Sequence, residues 1–484
     1  MRFRFFALAV FGVSGIGFAQ QAPPQLPGQT AAAPPPITSS LSSAAAQSPF
    51  AGSRPTGVPV PGILPLTLED AIARGMKTNL GLYLSEQATR QSQAGLFLSR
   101  SNLLPTVTTQ TSDTGEQINL RALGFSGALF PGIPVIIGPF NIFDARGYLT
   151  ENVLNLTALR NYRAANRNLT ASRLSYQDAR DVVTLVVASL YLQALASDAR
   201  ITAARAQVAT ADALYKRAVD QKAAGVVPGI DVLRAQVELQ AQQQRLIFYE
   251  NAFAKDKLNL AHAIGLPPEQ QFSLATPIPY TPPPPLTFEQ ALDQAYRDRS
   301  DYQAAQALVA AAELNKKAAQ AERYPSVAFS ANYGAIGPRP WDSHGTFTVA
   351  GALVIPVFLG GRVEADELAA DALLQQRIAT RDNLRASINF ELQADFLDLK
   401  SAADQVNVAS SALELARQQL RQSQDRFAAG VTDNLEVVQA QEAVATADEN
   451  YISSLYAYNV AKAALSRALG GAEKTTTRFL TGGK

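Results

Sequence analysis

Few residues in this 484-residue chain could do chemistry. The two histidines, His262 and His344, stand 82 residues apart, and the sequence has no cysteine, no phosphate-cradling glycine loop and no metal-spaced cluster. Thiol nucleophiles, disulfides and thiolate metal sites are excluded, no enzyme constellation emerges and no cofactor is implied. His262 reads as a capping or packing residue near a helix end, and His344 as a loop residue. What remains is a pair of acidic turns. "AAGVVPGIDVL" (Ala223–Leu233) returns 205 residues later as "AAGVTDNLEVV" (Ala428–Val438). In each, a glycine (Gly225, Gly430) suits the left-handed end of a helix, and an acid (Asp231, Glu436) opens the next helix, where a carboxylate meets the positive end of the dipole. Pro228 and Gly229 stiffen and break the first turn, whereas Asp433 and Glu436, on either side of the polar Asn434, make the second more acidic.

The elements that position these turns come in two copies. "LTLEDAI" (Leu66–Ile72) matches "LTFEQAL" (Leu286–Leu292) and "LPTV" (Leu104–Val107) matches "YPSV" (Tyr324–Val327), both at an offset of 220. The turns, and "AIG" against "ALG" at Gly265 and Gly470, recur at 205, so the first copy carries a 15-residue surplus between the Pro105 and Gly225 landmarks. Thr67 with Asp70, and Thr287 with Gln290, mark helix starts; each first helix should run unbroken until just before Pro105 or Pro325. Long runs follow, from about Tyr148 to Ala224 and from about Arg362 to Ala429, without internal proline or glycine. Their apolar residues recur at three-, four- and seven-residue steps, the pattern of coiled-coil packing. Shorter helices, about Ile230–Ala263 and Leu435–Leu469, return after the turns.

Around this duplicated body the sequence divides further. Arg2 and Arg4 precede an apolar run ending near Ala19, so residues 1–19 read as a secretory signal. Residues 20–65 are rich in Pro, Ala, Ser and Gln and read as a disordered tether; 66–276 form the first repeat, 277–285 a proline-rich linker, 286–471 the second repeat and 472–484 a C-terminal tail. With 42 Lys and Arg against 41 Asp and Glu, no electrostatic footprint for nucleic acid exists.

Between first and long helices the period changes to two. "SVAFSANYG" places Val327, Phe329 and Tyr333 on one face; "TFTVAGALVIPV" does the same with Phe347, Val349, Leu353 and Ile355. Trp341, in the polar connection, suits an interface. "PTVTTQTS" and "GIPVIIGPFNIF" hold the matching places in the first copy, so four strands per chain are expected. A small sandwich on a soluble helical body fits the pattern too. Four strands cannot close a pore, so a membrane role requires several chains sharing one barrel.

The doubled order of helix, "LPTV/YPSV" hairpin, "FNIFDARG" or "IPVFLGGR" re-entry, long helix, acidic "AAG" turn and return helix resembles the TolC-like outer-membrane efflux proteins over about Leu66–Gly471. The resemblance implies a mainly α protein with a small β part, a homotrimer whose long-helix α-barrel continues into a transmembrane β-barrel of twelve strands, four per chain. It implies outer-membrane lipid around the strands, the helices in the periplasm, and as partners a periplasmic adaptor (membrane fusion protein) and an inner-membrane transporter. It puts Glu436, Asp433 and Gln439 at a pore constriction, with Gln439 where the family pattern has a second acid, and makes Gly225, Asp231 and Gly430 candidate adaptor contacts. A type I protein-secretion duct shares all these features; a soluble periplasmic coiled coil would need only one hairpin and no strands.

Overall fold

The computed structural model describes residues 48–55, 59, 61–124, 134–275, 280–282, 285–429, 431–432 and 434–481. The signal reading (1–19) and most of the tether therefore lie outside the described residues. The end of the tether is not loose. Ser48 caps a short 3-10 turn, Pro49–Ala51, and Phe50 packs on Gly81, where a Cβ would sit 2.4 Å from its ring. Asn79 donates to the Phe50 carbonyl at 2.6 Å, and His262 Nδ1 lies 3.1 Å from the Ala51 carbonyl oxygen. His262 thus packs in the last turn of a helix, as its position suggested. The ordering of this segment corrects the tether expectation at its C-terminal end. Phe50 supplies the apolar anchor that proline-rich composition conceals.

Strand β1 (Leu64–Leu66) leads into helices α1 (Leu68–Thr78) and α2 (Leu80–Ser101). Strands β2 (Thr106–Asn119) and β3 (Ile136–Leu154) follow, then α3 (Leu156–Ala223) and α4 (Gly229–Ile264). Strand β4 (Phe272–Leu274) pairs in parallel with β1 and closes the first copy. The second copy comprises α5 (Phe288–Asp298), α6 (Ser300–Ala321), β5 (Ser326–Gly337), β6 (His344–Val354), α7 (Arg362–Ala428) and α8 (Asn434–Ala468). Helix α9 (Ala472–Thr481) ends the described chain.

Helix α3 has 68 residues and α7 has 67, so each is about 100 Å long at ~1.5 Å per residue. Along α3, α2 and α4 stand end to end, one toward the sheet and one toward the tip.

Four expectations are corrected. The first helices are each broken in two, at Asn79 (ψ 131°) and Arg299 (ψ 118°), which occupy equivalent positions of the repeats. Asn79 ends α1 and caps α2, its side chain accepting from Leu82 N–H at 3.3 Å. Helix α3 begins at Leu156, not near Tyr148, because β3 carries on, paired with β2 as far as Thr150 and with β5, across an irregularity after Asn152, as far as Leu154, before Asn155 caps the helix. The first copy's surplus accordingly lies both in longer strands, 14 and 19 residues against 12 and 11, and in a longer connection between them, 120–135 against 338–343. His344 opens β6. The C-terminal tail is a helix whose Leu480 is fully buried.

The two largest apolar cores among the described residues, one centred on each repeat, form a belt at mid-height. The first gathers Val183, Val187 and Tyr191 of α3 with α1, α4 and β1; the second gathers Ile388 and Leu392 of α7 with α5 and α8. Helix α9 bridges them, with Leu480 in the first and Phe479 against the second.

Candidate functional site

The described residues show the two turns side by side at one end of the molecule. The first closes α3 with Gly225 at φ 73° and Val226 N–H donating to Gln221 O at 2.9 Å. In the second, Val431 N–H donates to Arg426 O at 3.0 Å, the same six-residue closure. Gly430 and Asp433 lie outside the described residues.

The acids at equivalent positions have different surroundings. Asp231, 5% exposed, turns inward and accepts from Arg234 Nη1 at 3.3 Å; its side chain is thus withdrawn from the tip surface. Glu436 remains partly exposed. Its carboxylate accepts from Thr432 Oγ1 at 2.6 Å and Ser423 Oγ at 3.3 Å, and Arg426 Nη2 approaches to 3.6 Å. Gln439, one helical turn on, is exposed. Asn434, fully buried, donates from Nδ2 to the Asp231 carbonyl at 3.1 Å, so a single side chain joins the two turns.

Above the tips, α8 is tied to the first hairpin at a seven-residue interval. Arg245 of α4 donates to both Glu442 oxygens at 3.1 and 3.3 Å. Arg200 of α3 donates to both Glu449 oxygens at 3.0 and 2.9 Å.

The belt carries a denser network. Arg299, at the α5–α6 break and 4% exposed, donates to Asp301 at 3.1 and 2.8 Å and to Glu391 at 2.6 Å. Burial alone would lower this guanidinium's pKa, but the hydrogen bonds and charges of Asp301 and Glu391 outweigh it and hold it above its ordinary value. Arg467 joins Glu391 at 3.2 Å and Asp178 at 3.4 Å, linking α8 to α7 and α3. Asp181 accepts from Glu473 N–H at 3.1 Å and so caps the start of α9. Burial, with the nearby charges of Glu391 and Asp398, pushes the Asp395 carboxyl up to about 7.

At the opposite end, β2, β3, β5 and β6 form one antiparallel sheet in that order, with β2 and β6 as its edges. Val327 faces Leu353, Phe329 faces Gly351, Ala331 faces Val349 and Tyr333 faces Phe347. Directly opposed residues share a face, so Val327, Phe329, Tyr333, Phe347, Val349 and Leu353 form one apolar surface. Tyr333, Phe347, Val349 and Leu353 are 62 to 75% exposed. The other face carries Ser330, Asn332 and Thr348 and, through the β3 register, Tyr148 and Arg146. Ile355 falls one residue past β6, because the following Pro356 cannot donate to the ladder.

A long-helix hairpin made twice, joined to a four-stranded sheet with an apolar face and, among the described residues, two open edges, suits a strand set that other copies complete. A profile of the family described as "Outer membrane efflux protein" matches residues 152–266 and 291–471. The chain belongs to the outer membrane efflux protein family. It is similar to the pyoverdine export outer membrane protein OpmQ of Pseudomonas aeruginosa, 24% identical over 84% of this chain and 85% of that protein. The probable efflux pump outer membrane protein TtgC of Pseudomonas putida is 21% identical over 84% of this chain and 83% of its own length. Among solved structures, the outer-membrane channel OprN superposes with a TM-score of 0.73 at 19% identity, covering 84% of this chain and 90% of that one. VceC of Vibrio cholerae gives 0.72 at 19%, covering 84% and 96%. The efflux protein fold, outer-membrane placement and channel architecture expected from the sequence are those found.

Sequence reading missed Asn434, Arg426, Thr432 and Ser423 as partners of the acids, and the Arg245–Glu442 and Arg200–Glu449 pairs. The recurrence of Glu442 and Glu449 seven residues apart on one face of α8 was a usable signal. The arginines, on two different helices, offered none.

Proposed function

We propose that this efflux protein is the passive outer-membrane duct of a tripartite export system, working as a homotrimer with a periplasmic adaptor and an inner-membrane transporter that supplies the energy. The observation that carries this reading is the open-edged sheet. Among the described residues strands β2 and β6 each lack a neighbour on one side, and unpaired edges are not tolerated in lipid. Three copies placing β6 beside the next β2 pair every edge and give twelve strands, within the range of outer-membrane barrels. The apolar face then meets outer-membrane lipid, and the polar face lines water.

The protein performs no covalent chemistry in this reading; it offers a path. Cargo is a small molecule of the class its relatives export. Glu436 and Gln439 line the narrow periplasmic end, and Arg426 partly compensates each Glu436, so the constriction is less acidic than three free carboxylates would be. The outer surfaces around Gly225 and Gly430 take the adaptor. Residues 1–19 direct export and are removed, and 277–285 link the repeats.

Planar-bilayer recording on detergent-extracted protein tests this. The expected result is a discrete conductance from a trimeric species; a water-soluble monomer without conductance would sink the duct. Glu436→Ala should lower cation preference and expose Arg426, whereas unchanged single-channel behaviour would remove Glu436 from the constriction.

A further inference from the structure

The polar face of the sheet carries one charge pair. Arg146 and Asp144, two residues apart on β3, share this face, and their side chains are 24 and 17% exposed. Arg146 Nε donates to Asp144 Oδ1 at 2.6 Å and Nη2 to Oδ2, a two-point grip that fixes the direction of the guanidinium as well as its charge. The stem is accommodated from the other side. Gly334 of β5 stands opposite Arg146, and a Cβ there would sit 2.7 Å from Arg146 Cγ, so the arginine lies along the strands in space that another residue would fill. Its Cζ is 5.8 Å from the centre of the Tyr148 ring. From the helices up to the level of Asp144 this face holds no other Asp, Glu, Lys or Arg, and the next acid, Glu116, stands two rows nearer the connecting loops.

We propose that Arg146 and Asp144 set the charge tolerance of the water path through the barrel: laid flat over Gly334, the pair presents a balanced wall that passes anionic and cationic cargo alike. The inference rests on the duct reading, in which this face lines water. Three unpaired arginines at one level would favour anions in the lumen, and three unpaired aspartates would favour cations. Paired at contact distance, each couple acts as a short dipole whose field fades quickly with distance. Asp144 is thus a positioning residue, which holds Arg146 on the wall and cancels its charge. Gly334 completes the device, since a side chain there would lift the guanidinium into the lumen. The device stands at the opposite end of the molecule from Glu436.

The chain has no cysteine, so one introduced thiol reports on its own surroundings. Gln110 of β2 is exposed and directly opposite Arg146, whereas Val349 lies on the apolar face. In full-length protein reconstituted into phosphatidylcholine vesicles, Gln110→Cys is reacted with an anionic and with a cationic methanethiosulfonate. The ratio of the two rates reads the local potential and cancels any change in thiolate fraction. With the pair intact, a ratio close to that of a free thiol is expected. Asp144→Asn should raise the anionic-to-cationic ratio and Arg146→Gln should lower it, each by at least about threefold in about 10 mM salt, and both shifts should vanish in about 1 M salt. The double variant should return the ratio to its starting value, and light scattering of a trimer in detergent confirms that each variant assembles. A reactive Gln110→Cys whose ratio moves in neither single variant overturns the proposal and leaves the duct standing. An unreactive Gln110→Cys, or a Val349→Cys that reacts as fast, would show that the two faces are not divided between water and lipid, and overturns the duct reading together with the proposal.

Discussion

The belt and the tips are built from the same four long and return helices but are held by opposite means. At the belt, complete apolar cores and a buried ion network from Arg299 to Arg467 fasten both repeats and α9 together. At the tips, the contacts thin to Leu214, Phe427 and Val437, one Asn434 hydrogen bond and partly exposed ion pairs. Burial makes the first assembly expensive to open, since a lone buried charge costs several kcal/mol. Solvent makes the second cheap, since exposed pairs contribute about 0–1 kcal/mol each. In the proposed duct this gradient gives a fixed collar and a lightly fastened mouth.

The largest effect is expected at the collar. Arg299→Ala leaves the largely buried Asp301 without its cation and Glu391 with Arg467 alone, and should destabilise the fold by about 3 kcal/mol, read by chemical denaturation; a loss under about 1 kcal/mol would remove the distinction between collar and mouth. Gly265 ends α4 at φ 68°, and a Cβ there would sit 2.6 Å from Thr78. Gly265→Ala should cost about 1–3 kcal/mol, whereas the same change at Gly225, with open space around it, carries the backbone strain alone.

The collar also has a pH signature. Folded Asp395 keeps its proton up to about pH 7, while an unfolded aspartate loses it near ~3.9. Between those values the folded state binds more protons, so this group's contribution declines as pH rises through the window. Asp395→Asn should flatten the fall in melting temperature between acidic and neutral pH; an unchanged slope would show that Asp395 is ionised in the fold. The smallest stability effects belong to the mouth. Asn434→Ala and Arg245→Ala should each shift global stability by no more than about 1 kcal/mol, yet raise the open probability in bilayer recordings. A mouth that stayed shut in both would show that its fastening lies elsewhere.

Much of this protein was legible in the sequence because it depends on local rules. Proline and glycine stop helices, Thr67 and Thr287 cap them, and a period of two marks Val327 to Tyr333 as one face of a strand. Duplication made each signal visible twice. Less was legible wherever a local preference met a partner from far along the chain. The weakly patterned β3 extends to Leu154 because β5 pairs with it beyond the end of β2 at Thr150, and the proline-rich segment docks because Phe50 finds the bare backbone of Gly81.

The two acids show the division most clearly. Residue type and spacing alone determined that Asp231 and Glu436 begin paired helices after paired turns. Only the tertiary structure decided that Asp231 is withdrawn onto Arg234 while Glu436 stays half-open among Thr432, Ser423 and Arg426. The reason is physical: helix starts are set by residues within a turn of one another, but burial and charge pairing are set by which helix packs alongside.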